Sequence, residues 1–107
     1  MHQGITQDHR LDAKGRPAGG TTKSKGINIK WQNGPLVAKD GSRKDPNGAF
    51  VEDVVDAAIG RISFYQDSDF HCLENAVALG HLKAAAEALD ERTRGRERRG
   101  VEGTHEI

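Results

Sequence analysis

The sequence predicts an α+β fold: a small N-terminal antiparallel β-element followed by a long two-helix hairpin, assembled as a homo-oligomer. Three observations predict it. Ile27, Ile29 and Trp31 alternate with Asn28, Lys30 and Gln32, the period-two pattern of a half-buried strand. Val51, Val54, Val55, Ala58, Ile59 and Ile62 then recur at helical spacing and form one apolar stripe. Cys72, Ala76, Leu79, Leu82, Ala86, Leu89 and Thr93 recur in steps of three and four, which predicts a second helix.

Each element has its own boundary signals. The stretch from Lys14 to Gly20 (KGRPAGG) reads as a turn or loop. Residues from about Ile5 to Leu11 are the candidate antiparallel partner of the Ile27–Trp31 strand, and the competing reading is a disordered tail through residue 25. Asn33-Gly34-Pro35 ends the strand, so the β-element spans 1–37 and the helical region 38–107 of what reads as a single domain. Residues 38–48 are a polar connection, and Asn47 is the candidate cap of the first helix. Ser68 or Asp69 is the expected N-cap of the second, with Gly100 as its C-terminal stop. A helix of about thirty residues runs to roughly 45 Å. That exceeds the needs of a 107-residue domain. Its alanines permit close helix approach, so copies packing together explain its length.

Composition narrows the function. Aromatics make up 5% and charged residues 30%, so a lone chain buries only a thin core. Cys72 is the single cysteine, which excludes an intrachain disulfide and a multi-cysteine metal site. There is no apolar run of bilayer length and no signal-peptide stretch, so the protein reads as soluble and cytoplasmic. Net charge is zero, yet five arginines (92, 94, 96, 98 and 99) fall within eight residues. A neutral chain with one local arginine cluster suits a small anionic ligand better than long nucleic acid.

Two constellations carry candidate chemistry. In the first, Arg92, Arg96 and Arg99 share one helical face and Arg94 and Arg98 another, followed by Gly100-Val101-Glu102-Gly103-Thr104-His105. Guanidinium forks match phosphate oxygens, glycine lets backbone N–H groups approach an anion, and a threonine hydroxyl donates to phosphate. The alternative is a solvated helix end whose arginines pair with Glu87, Asp90 and Glu91. In the second, Phe64, Tyr65 and Phe70 bracket the connection between the helices, and Asn75 follows in the second helix. A flat ring to stack on and an amide to read an edge are what a nucleobase requires. The alternative is that the rings plug the hairpin.

Enzyme signatures are missing. The five histidines form no i, i+4 pair, and there is no HExxH, GxSxG, P-loop or complete Rossmann glycine pattern. No cofactor or metal is expected. Asp53 and Asp56 read as part of a charged helix face.

The C-terminal half resembles phage sponge proteins that sequester immune signals, a group that includes anti-Thoeris and anti-CBASS sponges. The residues that carry the likeness are Glu74-Asn75-Ala76, Leu79, Leu82, Leu89, Glu91-Arg92-Thr93 and above all the run Arg98 to His105, RRGVEGTH. The segments Gly26 to Leu36 and Asn47-Gly48-Ala49-Phe50 are similar to the anti-Thoeris branch, which carries β-strands before its helices.

The resemblance implies hexamers acting in the cytoplasm of an infected bacterium. It implies binding of cyclic ADP-ribose variants such as gcADPR, made by TIR-domain enzymes, and in some members of cyclic di- or trinucleotides at separate sites, with the ligand released intact on denaturation. It further implies that Tyr65 stacks on adenine, that Asn75 lies near that ligand, and that the segment from Arg99 to Thr104 holds cyclic trinucleotides. With the resemblance included, Asn75 and Arg92 are expected to hold polar edges or phosphates, and Phe64, Arg98 and His105 join the expected ligand-binding residues. Two positions depart from the family. Gly80-His81 replaces a Thr-Lys pair, which removes a fixed positive charge and argues against cyclic dinucleotide binding there. Ala88 stands where a tryptophan is common, which loosens a contact between copies or enlarges a pocket. The competing readings are a small phage nucleic-acid-binding or structural protein using the arginine run, and an enzyme that degrades the same signal.

Overall fold

The structure, a computed structural model, describes residues 2–107. The chain divides into two compact units. One is the N-terminal stretch through Phe50 joined by Val101–Ile107, and the other is Val51–Gly100.

In the first unit, β1 (Thr6–Leu11), β2 (Pro17–Lys23) and β3 (Asn28–Asn33) form an antiparallel sheet in the order β1-β2-β3. The predicted partner strand exists, but it pairs with β2 and not with β3. The second half of the expected turn, Pro17 to Gly20, is the start of β2. Two glycines make this possible. Gly19 and Gly20 take φ of 81° and 136°, and a Cβ at Gly20 would collide with the Asp8 carbonyl oxygen. The turn is therefore shorter than its composition suggests. It is closed by Asp12, whose Oδ1 accepts from the backbone N–H of Lys14 (2.8 Å) and Arg16 (3.0 Å).

Register fixes which residues share a face. Gln7, Thr22 and Ile29 lie across from one another, as do His9, Gly20 and Trp31. On that face the Trp31 Nε1–H donates to Thr22 Oγ1 (2.9 Å), and the Thr22 hydroxyl donates to Gln7 Oε1 (3.0 Å). Thr22 is the buried polar side chain of the unit.

The outer edge of β3 is covered by residues 47–49. Gln32 N–H donates to the Ala49 carbonyl (3.0 Å) and Ala49 N–H to the Lys30 carbonyl (2.7 Å). Asn47 extends this contact and does not cap a helix. Its Oδ1 accepts from Asn33 N–H and its Nδ2 donates to Asn33 O, both at 2.8 Å.

In the second unit, α1 (Val51–Gln66) and α2 (Leu73–Arg98) form the predicted hairpin. On α1 the stripe Val54, Val55, Ala58, Ile59 and Ile62 is half-buried. On α2 the half-buried set includes Leu79, Leu82, Ala86, Leu89 and Thr93, and Ala78 takes the place expected for Ala76. The start of α2 differs from expectation. Ser68 Oγ donates to the Tyr65 carbonyl (2.6 Å) and accepts from Phe70 N–H (3.1 Å), so it serves the turn. Cys72 is the N-cap, its Sγ accepting from Asn75 N–H at 3.4 Å. The far end follows the sequence. Arg99 is the C-cap, and Gly100 takes a left-handed φ of 73°. At 26 residues, α2 is about 39 Å long.

Among the described residues no apolar side chain is fully buried. Phe64, Phe70, Leu73 and Val77 stand 58%, 80%, 75% and 51% exposed. Leu73, Ala76, Val77, Gly80 and Ala84 make a second, outward apolar stripe on α2 that the sequence pattern did not separate from the first.

Candidate functional site

The predicted residues fall into groups that differ in how far their polar atoms are already committed. The first lies at the closed end of the hairpin. Phe64 and Tyr65 end α1 with ring centroids 5.9 Å apart and planes tilted by 57°. Phe64 is exposed and Tyr65 half-buried, so the rings do not plug a closed core. Asn75, in the first turn of α2, is half-buried. Its Nδ2 reaches the Phe70 carbonyl at 3.4 Å, and its side-chain oxygen has no partner among the described residues. The structure thus brings two rings and an amide acceptor to one end of a helix pair.

Arg61 belongs to this group and was missed by sequence reasoning. It lies one turn before Tyr65. Its Nε–H donates to the Tyr65 hydroxyl (3.1 Å), and its Cζ lies 4.9 Å from the Tyr65 centroid and 5.0 Å from that of Phe64. The i, i+3 and i, i+4 spacing from Arg61 to Phe64 and Tyr65 was the available signal.

The second group is the arginine run. Arg98 and Arg94 both reach Glu91, at 3.0 Å each, and together they hold its carboxyl below the usual glutamate range, Arg94 contributing most. This is the pairing that a solvated helix end predicts. Arg92 is exposed and makes no hydrogen bond or ion pair among the described residues.

The third group follows Gly100 and belongs to the first unit. Gly103 takes a φ of 78°, and its carbonyl accepts from Leu36 N–H (2.7 Å) and Val37 N–H (2.9 Å). Beside it, Arg43 forms a two-pronged ion pair with Glu102 at 2.7 and 2.8 Å. The Thr104 hydroxyl donates to the Val101 carbonyl (2.6 Å) and accepts from Glu106 N–H (3.1 Å). It must rotate away from Val101 before it can donate to a phosphate. His105 is half-buried. Arg99 and Gly100 belong to the other unit, so the RRGVEGTH run spans the division between the two.

A hollow of about 350 Å³ on the sheet, lined by Arg10, Thr21, Lys23, Lys30 and Trp31 among others, contains none of the predicted site residues. Among the described residues no cluster of three or more His, Cys, Asp or Glu is placed to hold a metal, and no helix is long and apolar enough to cross a membrane.

No protein-family model matches the chain. It is 44% identical over 78 residues to a protein of Bacillus phage SBSphiJ7 named Thoeris anti-defense 1. The match covers 73% of this chain and 51% of the relative, so the chain spans about half the length of the curated protein it matches. With the sheet and the hairpin in place, that similarity supports membership of the chain in the anti-Thoeris family of phage proteins.

Proposed function

We propose that the protein is a phage anti-defence sponge. It binds cyclic nucleotide immune signals, cyclic ADP-ribose variants such as gcADPR foremost, and holds them without cleaving them in the cytoplasm of the infected host. Tyr65 stacks on the base, with Phe64 at its side. Asn75 and Arg92 hold polar edges or phosphates. Arg98, Arg99, Gly100, Gly103, Thr104 and His105 serve cyclic trinucleotides. Binding tighter than that of the immune receptor drains the free signal by mass action.

The observation that carries this reading is the similarity to a protein named for anti-defence, together with a ring pair and an unpartnered amide oxygen at the hairpin end. Self-assembly, as a hexamer, is part of the proposal. The absence of a buried apolar side chain among the described residues and the outward stripe on α2 support it.

Calorimetry of the chain against cyclic ADP-ribose variants and cyclic di- and trinucleotides tests the reading. Tyr65→Ala loses about tenfold or more in affinity for the ADP-ribose class, the worth of one base stack. Thr104→Ala weakens the trinucleotide class alone. Equal losses in both variants would overturn two separate pockets. Binding that ignores cyclisation and falls steeply with salt would favour a nucleic-acid-binding protein instead.

A further inference from the structure

We propose that Arg61 grips the phosphate carried by the ligand at the Tyr65 site, and that the Tyr65 hydroxyl positions it. This rests on the reading that Tyr65 stacks a nucleobase. A flexible surface arginine is a poor anion trap because it must be ordered first, but Arg61 is held at three points: the Tyr65 hydroxyl on Nε and the faces of Phe64 and Tyr65 beneath the guanidinium. The hydrogen bond uses one of its five N–H donors and leaves those on the two terminal nitrogens, the pair that meets two phosphate oxygens side by side.

Arg10, Arg16, Arg43, Arg94 and Arg98 each pair with a carboxylate, whereas Arg61 pairs with none among the described residues. Its charge is therefore available, and its plane is set by the same ring that takes the base. With Arg61 over one face of Tyr65, the base takes the other. Base and phosphate are then read from one turn of α1, and Tyr65 serves twice, as platform and as anchor.

The test titrates gcADPR into the full chain, with Arg61→Gln, Arg61→Lys, Tyr65→Phe and the double variant Arg61→Gln/Tyr65→Phe, at several salt concentrations. Arg61→Gln is expected to weaken binding about tenfold or more and to make its salt dependence shallower, because one phosphate contact is gone. Arg61→Lys recovers the salt dependence but only part of the affinity, since the charge returns without the fork. Tyr65→Phe keeps the ring and weakens binding less than Arg61→Gln does, and the double variant is no weaker than Arg61→Gln alone. Wild-type binding with an unchanged Arg61→Gln overturns this role and leaves the sponge reading standing. Loss of affinity with an unchanged salt slope makes Arg61 structural and equally overturns it. A wild-type chain that binds no gcADPR overturns both.

Discussion

Single atoms decide several features of this protein. Gly20 has a φ of 136°, and a Cβ there would meet the Asp8 carbonyl oxygen, so β1 and β2 approach closely only because the side chain is absent. Gly20→Ala should destabilise the sheet unit by about 2 kcal/mol or more. Denaturant unfolding followed by Trp31 fluorescence measures this, and a wild-type midpoint contradicts it. The Glu91 carboxyl has its pKa lowered, first by Arg94 and then by Arg98, from an ordinary value of 4.5. A depressed folded-state pKa stabilises at pH above the ordinary value, and that contribution is lost as pH falls through the lowered one. Helicity near the α2 C-terminus should therefore fall with acidification below 4.5 in the wild type and lose that component in Glu91→Gln. Amide chemical shifts across an acid titration report it, and identical curves for the two proteins would refute it. At this scale the sequence was partly readable. Tyr65 and Asn75 stand out as ring and amide, but the ties of Arg61 to Tyr65 and of Thr104 to Val101 depend on side-chain rotamers, which no spacing rule sets.

At the level of elements, periodicity located both helices and the third strand, because a stripe at 3.6 or a strict alternation reflects which face is covered. Boundaries were harder to read. Ser68 and Asp69 have better capping chemistry than Cys72, yet the Ser68 hydroxyl is drawn into the turn and Gln66 binds the backbone of Cys72 on both sides, at 2.9 and 3.1 Å. The α2 helix therefore starts on a weak sulfur acceptor. Cys72→Ser should raise stability by about 0.5–1 kcal/mol, since an oxygen caps the Asn75 N–H better. Thermal melting under reducing conditions checks it, and a lower midpoint would contradict it. The Pro17–Gly20 stretch misled for a different reason. Its glycines resemble turn residues by composition, but here they serve close strand approach.

The whole molecule is defined by what a single copy leaves uncovered. Leu73 and Val77 are on average nearly two-thirds exposed on a helix whose other face packs on α1. Leaving such a stripe in water is unfavourable, which supports the proposed self-assembly. Val77→Glu should reduce the mass found by sedimentation while leaving helix content intact. An unchanged mass would exclude this stripe from the interface. Thin core and excess helix length were both legible in the sequence, whereas the second stripe was not, since its alanines and glycine merge with the first. The central claim, capture without chemistry, rests on the most direct measurement of all. The protein is incubated with gcADPR, freed of unbound ligand, heated, and the supernatant is analysed by mass spectrometry. Intact gcADPR in fixed proportion to protein, appearing only after heating, is the predicted result. A linear product, or no retained nucleotide, would contradict it.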